Sequence, residues 1–236
     1  MPRTSRVARV STADGELDAH VVLPDAGSGP GIVVLQEIFG VGEYIKEAAD
    51  RLAGLGYVAL APDLYWRIAP GTALSHDEAG LGRAFEVSQQ LDPQLAVRDS
   101  VDALRTLREL PEVTDGKAGV LGFCLGGTLA FGTAIEGDPD VAVCYYGSGI
   151  PGMLDQADRI TCPVLFHFGG ADPYIPREQV DAVGAFTASR PSMECHVQEG
   201  AGHAFDNHAS PMFHQPEPAA AAWEITREFL ARTLPV

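Results

Sequence analysis

The chain has 236 residues, with 16 Lys and Arg against 32 Asp and Glu, a formal net charge of −16. That balance excludes nucleic acid or an anionic membrane surface as the main partner, since each demands a basic patch. At 46% hydrophobic and 20% charged residues the chain is globular, about one domain long, and able to bury roughly 70% of its surface without cross-links.

In chain order, Val7–Val10 and Leu17–Leu23 read as an opening hairpin turning at Asp14-Gly15. Ile32–Leu35 is a short, continuously apolar run, the pattern of a buried parallel strand. Glu43–Leu55 has apolar residues at helical spacing and stops at Gly56. Tyr57–Ala61 is the next buried strand. A proline-bearing connection over 62–75 follows, of a length usually found in functional loops. Glu78–Leu91 and Leu95–Leu110 read as helices separated at Asp92-Pro93. Ala118–Leu121 is a strand leading into a helix that runs to Ile135. Val141–Tyr146, Val164–Phe168 and Met193–Val197 are further strands. Gln179–Ala188 and Ala219–Thr233 are helices, and the stretch from His203 to Pro218 is irregular. The alternation predicts one doubly wound α/β domain with a mostly parallel sheet. In such folds the chemistry sits in the loops after the strands.

No apolar run approaches the ~20 residues that span a bilayer. The first ten residues carry arginines with no apolar core behind them, unlike a secretory signal. Cys124, Cys144, Cys162 and Cys195 are scattered, without a CxxC pair, as expected of reduced thiols in a cytoplasmic protein.

The most informative segment is Gly119-Val-Leu-Gly122-Phe-Cys124-Leu-Gly126-Gly127. It runs strand, glycine, cysteine, glycine-glycine, helix: a nucleophile elbow with cysteine at its apex. The turn is so tight that positions 122 and 126 must be small. It lifts the sulfur above the N-terminus of the next helix, whose free N–H groups and dipole favour a thiolate and an oxyanion. The other three cysteines lie in or beside strands and read as small core residues.

An elbow nucleophile needs a base and the base an orienting acid, in the chain order nucleophile, acid, histidine. Asp172 follows the strand Val164–Phe168 after Gly169-Gly170, and His203 follows the strand at 193–197 after two glycines. His167 reads as a hydrogen-bonded core residue. No histidine or carboxylate has metal-ligand spacing, so neither metal nor cofactor is expected. Gln36-Glu37-Ile38 directly follows the strand at 32–35, the loop that donates the second oxyanion N–H in such sites. The oxyanion donors are therefore assigned to Ile38 and Leu125, with the Glu37 carboxylate near the sulfur.

These segments, with Gln36–Gly40, Ala61–Tyr65, Ala69–Leu74, Tyr145–Gly147, Phe168–Asp172 and Gly200–His203, resemble the dienelactone hydrolase family nearly end to end. The resemblance implies an α/β-hydrolase fold over residues 1–236, with helices on both faces of a mostly parallel sheet. It implies Cys124 as nucleophile, His203 as base and then acid, Asp172 as its orienter, and Glu37 as a switch carboxylate that helps deprotonate the thiol. The family reaction is hydrolysis of an enol-lactone with an anionic side group, in the breakdown of catechol-type aromatics. One departure concerns the substrate. Where the family grips a carboxylate with arginines, this chain has Asn207, four residues after the histidine, and Leu81 in the lid region. Arg67 and Arg83 are the candidate substitutes, and Asn207 a third substrate-binding candidate. The leading expectation is a hydrolase of small lactones acting as a monomer or homodimer. The alternatives are a carboxylesterase for neutral or activated esters, and a non-catalytic binding or redox-sensing protein on the same fold.

Overall fold

A computed structural model describes residues 3–236. An eight-stranded sheet is built from β1 (Ser5–Thr12), β2 (Gly15–Val22), β3 (Gly29–Leu35), β4 (Val58–Pro62), β5 (Val113–Phe123), β6 (Ala142–Tyr145), β7 (Val164–Gly169) and β8 (Met193–Gln198). The spatial order is β1-β2-β4-β3-β5-β6-β7-β8. β2 pairs antiparallel with β1 and with β4, and every other pair is parallel. β3, β4, β6 and β7 are buried along their whole length, which is why their sequences are unbroken apolar runs rather than alternations. β1 at the edge buries only Ala8 and Val10, on alternate positions.

The helices are α1 (Glu43–Gly54), α2 (Glu78–Ser88), α3 (Pro93–Arg108), α4 (Leu125–Glu136), α5 (Arg177–Thr187) and α6 (Pro216–Thr233). α3 begins as anticipated: Pro93 opens it, and the Asp92 carboxylate caps it by accepting from the Gln94 and Leu95 amides at 2.9 and 3.2 Å. From β3 the chain crosses by α1 to β4 on one side. From β4 it crosses by α3 to β5 on the other side of β3. Right-handed crossovers in opposite directions put α1 and α3 on opposite faces. The guanidinium of Arg51 on α1 lies 3.8 Å from the Trp223 ring centroid on α6, so those two helices share a face. The crossovers reverse direction at β3 and β5, which leaves a crevice at their carboxyl ends, where open sheets of this type bind ligands.

Three local expectations need correction. The hairpin pairs Thr12 with Gly15, so its turn is Ala13-Asp14, one residue earlier than expected. β5 begins at Val113 rather than Ala118, because Asp115 and Gly116, both at positive φ, make an irregularity inside the strand. A 3₁₀ segment over Ile150–Arg159, opened by Pro151, was not anticipated.

Candidate active site

β5 ends at Phe123 and α4 begins at Leu125, leaving Cys124 alone in the turn at φ 54°, ψ −114°. That is the left-handed side of the map, which costs a residue with a Cβ about 1–3 kcal/mol. The neighbours hold it there. The Cys124 amide donates to the Tyr145 carbonyl at 3.0 Å, and its carbonyl accepts from Thr128 at 3.2 Å. A Cβ at Gly122 would stand 2.0 Å from the Gly126 carbonyl oxygen, and one at Gly126 would stand 2.2 Å from that of Leu35. The elbow therefore closes only with glycine on both sides. Positive φ recurs at Tyr146 (38°) and Ala204 (54°), each next to a site element, so three of the five non-glycine residues at positive φ among the described residues border one crevice.

His203 follows β8, with its Nε2 3.1 Å from Cys124 Sγ and its Nδ1 2.7 Å from Asp172 Oδ2. Asp172 lies just past β7 with a fully buried side chain, and its Oδ1 accepts from the Tyr174 amide at 2.8 Å. The carboxylate thus holds the imidazole by one oxygen while its own turn fixes the other. Burial on its own would pull His203 down. The adjacent Cys124 sulfur and the hydrogen bond to Asp172 outweigh it, raising His203 from 6.5 to about 10.

Glu37 follows β3 and is 2% exposed. The Asn207 side-chain amide donates to its Oε2 at 2.6 Å, whereas its buried Oε1 has no hydrogen-bond partner among the described residues. Burial pushes its carboxyl up to about 8; the nearby Asp206 adds to that, and His203 and Asn207 oppose it. The next peptide is anchored from its other end, the Tyr65 hydroxyl donating to the Ile38 carbonyl at 3.0 Å. Among the described residues the amides of Ile38 and Leu125 donate to no protein acceptor. Cys124, His203, Glu37, Ile38 and Leu125 all line one cavity of about 350 Å³.

The substrate-binding expectations fare differently. Asn207 is fully buried and spends its amide on Glu37, so it positions a carboxyl rather than facing the cavity. Arg67 is turned away, because its guanidinium pairs with Asp99 and with Asp14 at 2.8 Å and stacks on Trp66. Arg83, on α2, pairs with Glu86 at 2.7 Å, and neither arginine lines the cavity. His167 is the expected core residue: it is buried, its Nε2 lies 3.0 Å from Thr226 Oγ1, and burial lowers it to about 3.

One group was missed at the level of sequence. Asp206 is 1% exposed and accepts from the Tyr44 hydroxyl at 2.7 Å and from Arg51 at 3.0 Å. The Tyr44 hydroxyl is also 3.4 Å from that of Tyr146, whose ring packs on His203 at 5.3 Å. Asp206 stands beside the noticed Asn207, but its partners on α1 follow no motif.

The dienelactone hydrolase family model matches residues 17–234. A carboxymethylenebutenolidase of Pseudomonas putida is 38% identical over 224 residues, covering 94% of this chain and 94% of the relative. A carboxymethylenebutenolidase of Rhodococcus opacus is 37% identical over 226 residues, covering 90% of this chain and 84% of the relative. Among solved structures, one from Klebsiella pneumoniae, provisionally described as a dienelactone hydrolase, superposes with a TM-score of 0.83 at 26% identity, covering 97% of this chain and 98% of that one. The chain belongs to the dienelactone hydrolase family and is a hydrolase of ester bonds.

Proposed function

We propose that residues 1–236 act as one unit that hydrolyses small esters and lactones through an acyl-thioester on Cys124. The observation that supports this most directly is the continuous line from Cys124 Sγ to His203 at 3.1 Å and from His203 to Asp172 at 2.7 Å. In this reading the thiolate attacks the carbonyl carbon, and the carbonyl electrons move onto oxygen. The Ile38 and Leu125 amides, free to donate, hold that oxyanion. Collapse breaks the carbon–oxygen bond of the ester, and His203 gives its proton to the leaving oxygen. Of a lactone, the freed enol or alcohol stays tethered to the acyl group.

The second half follows from the electrostatics of the first. The sulfur is the leading influence that raises His203. Acylation neutralises the sulfur, so the imidazole holds its proton less tightly at the moment when a base is needed. Neutral His203, still held by Asp172, then takes a proton from water, and the hydroxide oxygen displaces the thiolate. Glu37 sits within the same cavity with a carboxyl that titrates near neutrality, suited to exchanging a proton with the thiol before attack.

All of these groups come from one chain, so a monomer suffices. Among the described residues all four cysteines are free, which supports the cytoplasmic placement. None of the described helices is long and apolar enough to cross a membrane. The test is Cys124→Ala against an activated ester and an enol-lactone. Loss of at least about 10³ in kcat is expected, since loss of one oxyanion donor alone costs about 10²–10³. Mass spectrometry of the wild type should trap the acyl group on Cys124. Turnover by Cys124→Ala within about threefold of wild type overturns the reading.

A further inference from the structure

The cavity next to Cys124 is walled mainly by carbon. Ile38 and Leu129 lie at its floor elements, Leu81 and Phe85 come from α2, and Phe213 and Tyr174 come from the loops beyond β8 and β7. Phe85 and Tyr174 are 42% and 52% exposed, so apolar surface continues out to the mouth. Beyond the reacting groups, the polar side chains of the wall are the hydroxyl-bearing Ser88, Thr128, Ser148 and Tyr174.

Among the described residues the wall offers an added anion no free cation, since His203 is already engaged by Cys124 at 3.1 Å and by Asp172 at 2.7 Å. Glu37 lines the cavity, and no lysine or arginine among the described residues does. The two arginines that were candidates for holding a carboxylate are paired with acids, Arg67 with Asp99 and Asp14 and Arg83 with Glu86. At long range a net charge of −16 repels an anion before it arrives. A substrate carboxylate bound here would exchange water for aliphatic side chains and a carboxyl group, with no uncommitted cation to pair it. An alkyl or aryl group in the same place gains from burial.

We infer that this enzyme selects uncharged, apolar esters or lactones and rejects those bearing a carboxylate beside the reacting carbonyl. This rests on the cysteine-hydrolase reading above, and it departs from an anionic enol-lactone as substrate. The carboxylate-binding role is absent because its positions hold Leu81, which faces the cavity, and Asn207, which is consumed by Glu37.

A matched pair of esters tests the inference. The 4-nitrophenyl ester of trans-4-methylpent-2-enoic acid is neutral. The mono-4-nitrophenyl ester of fumaric acid has nearly the same shape but ends in a carboxylate, and its trans double bond prevents self-cleavage. kcat/KM should favour the neutral ester by about a hundredfold or more, as expected where an ion loses its water without a partner. Leu81→Arg, which leaves the reacting groups untouched, should narrow that ratio at least tenfold, mainly by raising the anionic rate. The matching anilides, which resist hydrolysis, provide a second readout. The neutral anilide should protect Cys124 from iodoacetamide at a lower concentration than the anionic one. Equal or better turnover of the anionic ester, or equal or better protection by the anionic anilide, overturns the inference. Failure of the underlying reading is distinguishable, because Cys124→Ala would then keep turning over both esters.

Discussion

Replacing Glu37 by glutamine keeps the shape of the side chain and removes its ability to ionise. The consequence is a stability difference that depends on pH. In the unfolded chain a glutamate ionises near 4.5, whereas in the fold burial holds this carboxyl protonated up to about 8. Below pH 4.5 both states of the wild type bind the proton, and Glu37→Gln should be nearly neutral. Between 4.5 and 8 the unfolded state releases its proton while the folded state retains it, so wild-type stability falls as pH rises. At ~1.36 kcal/mol per unit, a shift from 4.5 to about 8 amounts to about 5 kcal/mol in full and about 3 kcal/mol by pH 7. The glutamine variant undergoes no such loss. Its amide oxygen can still accept from Asn207, and its NH₂ takes the place of the unpaired Oε1. The variant should therefore become progressively more stable than wild type from pH 5 to 8, and the gap should level off above that. Urea titrations at half-unit intervals measure it, urea being preferable to an ionic denaturant because it adds no screening. Titrating groups that do not interact with Glu37 cancel in the difference. Activity should fall at the same time, a trade of function against stability. Stability curves that stay parallel within about 0.5 kcal/mol from pH 5 to 8.5 would refute the assignment of Glu37 as a buried, neutral acid.

Three further outcomes follow from named contacts. Asn207→Ala removes the donor that opposes the upward shift of Glu37; the pH profile of kcat/KM should move its Glu37 limb to higher pH, with about 1–3 kcal/mol of stability lost from the unpaired buried group. Tyr65→Phe frees the Ile38 carbonyl; kcat should drop about tenfold with little change in KM, because a loosened oxyanion donor matters chiefly in the transition state. Gly122→Ala drives a Cβ to within 2.0 Å of the Gly126 carbonyl; soluble protein should show a cooperative melting point lowered by several degrees or more and loss of thiol reactivity at Cys124, measured by iodoacetamide labelling.

What could be read from the sequence was whatever is encoded locally. The elbow is one: strand, glycine, cysteine, glycine and helix lie within a dozen residues, and the steric demand on positions 122 and 126 falls on the residues that spell the motif. The break at Asp92-Pro93 and the buried strands at 32–35 and 164–168 are likewise self-contained. The first residues of β5 carry no apolar run to mark them, because Asp115 and Gly116 interrupt the pattern, whereas pairing with β3 keeps the strand running through them. Pro151 and Gly152 mask the 3₁₀ segment in the same way. The larger misses are pairings across the sheet. Asn207 meets Glu37 across 170 residues, and Arg67 finds Asp99 on α3 and Asp14 in the hairpin. An arginine counted as available in a sequence is available only if the fold brings it no acid, and with twice as many acids as bases few arginines stay free.

That excess of acid poses a physical problem at the sulfur, because the proposed mechanism needs a negative charge there. Three buried carboxyl groups stand close by, and each is relieved of its charge or paired. Asp172 is spent on His203, at 2.7 Å. Asp206 accepts from Arg51 and Tyr44, so its charge is shared with a guanidinium and a hydroxyl. Glu37, buried and hydrogen-bonded by a neutral amide, keeps its proton up to about pH 8. The negative charge for which the site leaves room is then the one that the proposed attack places on the sulfur, next to His203. Negative charge released at any of the three carboxyls would compete with it. Asn207 is pivotal in this respect: a cation at that position would ionise Glu37 and place a second negative charge in the cavity, whereas the amide orients the carboxyl and leaves it neutral.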